Sequence, residues 1–141
     1  MAFVFSSVFA RSTALVLAVA ALAGCASMAT SPEAIVKQRA TQQWQARIAG
    51  DLEKTYQFTT PSFRGGKTLE SYKKGIGSAV VIKSAEVASV TCESEDKCVV
   101  NAKVEAQPNL MLGRRAVPPF TTYVDETWLR EDGQWWLFPT P

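Results

Sequence analysis

The chain has 141 residues, with 15 Lys and Arg against 13 Asp and Glu, and no histidine. A formal charge of +2 without any basic run gives nucleic acid no electrostatic hold on it. The missing imidazole removes the side chain that most often does acid–base work at neutral pH, and with it the commonest metal ligand.

The first segment reads as an address. Arg11 is its only charge, Ser12 to Leu22 is rich in Ala, Val and Leu, and the small residues Ala23 and Gly24 end it. An apolar core of about ten residues is too short for a hydrocarbon layer that takes roughly 20 residues of helix to cross. The run Leu22-Ala23-Gly24-Cys25 resembles the lipobox of bacterial lipoproteins, in which a signal peptidase cuts before the cysteine. That resemblance implies removal of residues 1–24 and acyl chains, palmitate among them, on Cys25. Two or more chains hold a protein firmly where one binds only marginally, so the expected partner is a membrane reached through a lipid anchor. Lipoproteins with aspartate directly after the cysteine tend to stay in the inner membrane, whereas here Ala26 and then Ser27 follow, which implies the periplasmic face of the outer membrane. An ordinary secreted protein, cut after Ala23 or Ala26, is the alternative.

Cleavage leaves 117 residues, one domain's worth, with a charge of +1 because Arg11 departs. Residues 25–31 form the lipidated N-terminus and a short linker. Fully extended at about 3.5 Å per residue, that linker reaches less than roughly 25 Å, so the domain at 32–141 is expected close to the bilayer.

Ser31-Pro32-Glu33 supplies a side-chain cap, a proline suited to the first helical position and an acid in the first turn. Val36, Ala40, Trp44 and Ile48 then recur every four residues, an apolar stripe that Gly50 can end. Asp51 caps a second, shorter helix through Leu52 and Tyr56, stopping before Pro61. After a turn at Gly65-Gly66, Thr68 starts a third helical stretch carrying Leu69, Tyr72 and Ile76, ended by Gly75 and Gly77.

From Ser78 the apolar period becomes two. Val80–Ile82 with Ala85–Val90 predicts one long bent strand or two short ones, and Cys98–Ala106 its antiparallel partner. Cys92 and Cys98 flank Glu93-Ser94-Glu95-Asp96-Lys97, and in an exported chain such a pair reads as a disulfide closing the hairpin, with free thiols as the alternative. A metal site would need two further thiol or imidazole ligands, so none is expected. Asn109–Pro119 reads as a loop, and Phe120–Arg130 with Gln134–Phe138 as a last hairpin turned by Asp132-Gly133. Helices first and strands second predict an α+β domain.

In this order, Arg39 and Trp44, Gly50-Asp51 leading to Tyr56, the turn Thr60-Pro61-Ser62-Phe63-Arg64, and Asp125-Glu126-Thr127-Trp128 closing on Asp132-Gly133-Gln134-Trp135 resemble the nuclear-transport-factor-2-like superfamily, and within it the proteobacterial lipoprotein members. The resemblance covers Pro32 to Pro139. It implies a cystatin-like cone, in which a curved antiparallel sheet wraps the helices and leaves a pocket at the open end. It also implies dimerisation through the convex face.

The superfamily contains enzymes and binding domains alike, so function must be argued from the site. Arg39, Trp44, Arg47, Tyr56, Tyr72, Glu126 and Trp128 are the candidate pocket residues. Glu126 shares a strand face with Val124 and Trp128, and a carboxylate in apolar surroundings has its pKa raised. Buried charges are usually paired, so an ion pair from Glu126 to Arg39 or Arg47 is expected. Tyr56 and Tyr72 read as core rings with satisfied hydroxyls. Leu129, Trp136 and Phe138 fall on the opposite face, an apolar patch for a second copy or a periplasmic protein. No serine elbow, phosphate loop or calcium loop is present, and no cofactor is expected; Gly65-Gly66-Lys67-Thr68 lacks the upstream glycine and buried strand of a phosphate loop. Two functions therefore stand: a lipid-anchored, non-enzymatic domain binding a small apolar ligand or a protein, or a histidine-free isomerase or dehydratase using Glu126 or Asp125 with a tyrosine.

Overall fold

The computed structural model describes residues 31–76, 79–112 and 115–140, so Cys25 and the residues before Ser31 lie outside it, as does Gly77. Helix α1 (Pro32–Ile48) starts where Ser31 Oγ accepts the Ala34 N–H at 3.2 Å. It ends at Ala49, followed by Gly50 at φ +72°, the left-handed conformation that glycine adopts without a Cβ clash. Asp51 Oδ1 accepts the Lys54 N–H at 2.9 Å and opens α2 (Leu52–Gln57).

The stretch expected as a turn after Pro61 is a helix. In α3 (Pro61–Gly66), Thr60 Oγ1 accepts the Phe63 N–H, and Pro61 occupies the first helical position, where its missing N–H costs nothing. Helix α4 (Leu69–Gly75) follows, capped by Thr68.

Strands β1 (Val80–Ser94) and β2 (Lys97–Pro108) pair antiparallel, with register shifts at Ile82/Ser84, Val87/Ser89 and Cys92/Ser94. Each shift adds a residue on one side of the ladder, which bends the strand and increases its twist. The region expected as a loop before Phe120 also contains a small hairpin, β3 (Met111–Leu112) with β4 (Arg115–Ala116). β5 (Phe120–Glu131) and β6 (Gln134–Phe138) complete a four-stranded sheet in the order β1-β2-β5-β6. Asp132 and Gly133 both have positive φ, as a two-residue hairpin turn of the primed type requires. The molecule is an α+β fold of helices against an open antiparallel sheet.

Alternation gives the sheet an apolar inner face. On β2, Cys98, Val100, Ala102, Val104 and Ala106 are all buried, while the residues between them are more open. Val36, Ala40 and Trp44 of α1 are buried on that side, in two clusters with Val100 and Trp128 and with Ala102 and Val104. Ile48, the last residue of the expected stripe, is instead 39% exposed, because the helix is ending there. At the far edge, Thr59 bridges Leu137 in parallel, with Thr60 N–H donating to Leu137 O and Leu137 N–H to Phe58 O. The α2–α3 connection thus covers the open side of β6.

Cys92 and Cys98 face each other across β1 and β2 with their sulfurs bonded and Cα atoms 3.9 Å apart. Closing so short a loop stabilises by about 2 kcal/mol on the chain-entropy account. Reduction by dithiothreitol should lower the urea midpoint by an amount equivalent to about 2 kcal/mol; an unchanged midpoint would mean that the sulfurs are not linked.

Candidate functional site

Glu126 sits on the inner face of β5, opposite Val100 on β2 and two residues before the wholly buried Trp128. It is 7% exposed, and its Oε2 has no hydrogen-bond partner. The expected ion pair does not form: among the described residues no cation lies within ion-pair distance of it, and the single salt bridge joins Lys97 to Glu93 at 2.8 Å. The two arginines are engaged with rings instead. The Arg39 guanidinium lies over Phe58 and Trp136, at 5.4 and 5.0 Å from their centroids, and that of Arg47 over Trp44 at 5.3 Å. Aromatic faces attract a guanidinium without demanding the bidentate geometry that a buried carboxylate would impose.

Burial therefore dominates and raises the Glu126 carboxyl to about 7. The indole N–H groups of Trp128 and Trp44 and the charge of Arg47 oppose it. Both indole nitrogens stop short of a proper hydrogen bond, since Trp44 Nε1 and Trp128 Nε1 are themselves unpartnered. Tyr72, buried on α4, has its hydroxyl pKa raised by burial first, with Arg47 lowering it and Glu126 raising it further. Trp44, Arg47, Tyr72, Glu126 and Trp128 thus form one electrostatic neighbourhood. Arg39 and Tyr56 belong elsewhere. Burial lowers the pKa of Arg39, whose Nε is unpartnered, and it lines a cavity of about 260 Å³ with Pro32, Ile35, Arg130, Gln134 and Trp135. Tyr56 donates its hydroxyl to Lys67 O at 2.7 Å and packs its ring at 5.4 Å from that of Tyr72, a structural tie between α2 and α4. Asp125, on the outer face, accepts a 2.7 Å hydrogen bond from the Asn101 side chain.

Two features escape the sequence analysis. Gln43 is wholly buried with neither end of its amide partnered; its place three residues after Ala40, on the apolar stripe, is the signal that could have marked it. The other is a cavity of about 520 Å³ where the end of α1 meets α2, α4 and the start of β1, lined by Arg47, Ile48, Leu52, Ile76, Val81 and Ile82 among others. Arg47 belongs both to this cavity and to the Glu126 neighbourhood.

On the opposite sheet face, Leu129 pairs with Trp136 and Thr127 with Phe138. Phe138 is 41% exposed, but Leu129 is half-buried, and Trp136 is contacted by Arg39 and Arg64 and donates its indole N–H to Glu131 O at 3.2 Å. Of the expected apolar patch, Phe138 is the exposed part. No cluster of three potential metal ligands occurs among the described residues.

No protein-family model matches this chain, nor does any curated protein. Among solved structures it is similar to the solution structure of a SEC-C motif containing protein from Rhodopseudomonas palustris, at 15% identity and a TM-score of 0.54, over 78% of this chain and 77% of that one. The shared property is the fold. At that identity the likeness carries the α+β arrangement and nothing about a ligand.

An acid whose pKa is higher folded than unfolded stabilises the fold while protonated. Its contribution is complete below about pH 4.5 and is lost as pH rises through about 7, a span equivalent to about 3 kcal/mol. Glu126→Gln should therefore raise stability at pH 8 by up to about 3 kcal/mol and change it little at pH 4.5. Denaturant titration at both pH values checks this; equal effects at both would show that Glu126 is not a buried, strained acid.

Proposed function

We propose that this protein is a non-enzymatic envelope lipoprotein, acylated on Cys25 and facing the periplasm from the outer membrane, whose domain of the nuclear-transport-factor-2-like type binds a small apolar ligand. Support for the anchor is the sequence Leu22-Ala23-Gly24-Cys25 behind an apolar segment. No helix among the described residues is long and apolar enough to cross a membrane. The observation that carries the ligand is the 520 Å³ cavity, within the range of about 300–1,000 Å³ typical of small-molecule sites and walled by Ile48, Leu52, Ile76, Val81 and Ile82.

Catalysis by Glu126 with Tyr72 is the second reading, favoured by the raised pKa of the carboxyl and its nearness to the phenol. It is the weaker one, because Glu126 and Tyr72 are 7% and 8% exposed and neither lines the cavity. An acid–base pair must reach the proton that it moves. A protein partner or second copy would meet the outer sheet face at Tyr123 and Phe138, both exposed.

Expressed in its host, the protein should take up labelled palmitate and sediment with membranes, and Cys25→Ala, no longer cut before residue 25, should lose the label. Absence of label from the unaltered protein, or label persisting in Cys25→Ala, would overturn the anchor.

A further inference from the structure

The large cavity is apolar with one exception. Among its described lining residues Arg47 alone carries a charge. Arg47 is half-buried as a residue, and its guanidinium sits over the Trp44 ring with no carboxylate within ion-pair distance among the described residues. A guanidinium partly withdrawn from water without an anion gives up hydration that a ring face only partly replaces. An incoming carboxylate would restore it, because the planar fork of arginine matches two carboxylate oxygens at once. The neighbouring Glu126 sets a limit on that charge, since its field reaches Arg47 and opposes a second negative group.

We propose that this cavity holds a single-chain alkyl carboxylate, its head group on Arg47 and its chain along Ile48, Leu52, Ile76, Val81 and Ile82. The ring of Trp44 holds the guanidinium in place, so the charge is oriented before the ligand arrives. Charge complementarity at one end and an apolar wall beyond it select against the corresponding alcohol or amine, which leave Arg47 unpaired or repel it. This rests on the cavity being the ligand site.

The test is photolabelling of the full chain with diazirine-bearing dodecanoic acid and, in parallel, the matching dodecanol, with the labelled residues mapped by mass spectrometry. The acid should label Leu52, Ile76 or Ile82 at least about tenfold more than the alcohol, the difference expected for one charge-assisted hydrogen-bonded contact. Arg47→Gln should remove that preference and Arg47→Lys retain most of it, with thermal melts confirming that both variants fold. Equal labelling by acid and alcohol, unchanged in Arg47→Gln, would overturn the carboxylate while leaving the cavity as a ligand site. Labelling by neither probe, or only elsewhere, would overturn both.

Discussion

The contact between α1 and the inner face of the sheet organises the rest of the molecule. Val36, Ala40 and Trp44 meet a sheet whose central strand offers Val100, Ala102 and Val104 at alternate positions, and each large apolar side chain so buried contributes about 1.5–3 kcal/mol relative to exposure. Because α1 rises about 1.5 Å per residue, its 17 residues span about 25 Å and reach from the cavity beside Pro32 to the cavity beside Ile48. One helix therefore turns Arg39, from its middle, toward the first cavity and Arg47, in its last turn, toward the second. The same packing encloses Glu126, which explains why its carboxyl is strained rather than paired.

Much of this architecture was legible along the chain. Ser31-Pro32, Asp51 and Thr68 announced helix starts through local hydrogen bonds, and period-two alternation with Asp132-Gly133 announced the hairpins, because those signals act over a few residues. Helix α3 was hidden by Gly65-Gly66, although Thr60-Pro61 repeats the cap-and-proline pattern of Ser31-Pro32. The fate of Arg39 and Arg47 was not legible. Both could reach for a carboxylate, and only the packed positions of Phe58, Trp136 and Trp44 decide that rings take them. The large cavity was equally hidden, since its walls come from four separate elements and no spacing in the sequence records their meeting.

The two charged groups of the site lie in different surroundings. The acid is enclosed, and the cation borders open volume. Arg47 couples the two, since its field reaches both the cavity and Glu126. A negative group placed against Arg47 would offset its positive field at Glu126 and favour the protonated acid, so occupancy of the cavity and the proton on Glu126 are thermodynamically linked.

The three register shifts along β1 have a consequence for molecules crowded side by side. A sheet of four strands exposes two rims where unpaired amides and carbonyls invite another chain to join, the first step toward aggregation. The rim at β6 is occupied by Phe58–Thr60, and the rim at β1 is bent out of regular pairing at three places. Neighbouring copies at high concentration therefore find no straight template on which to grow, and crowding alone does not lead to fibres.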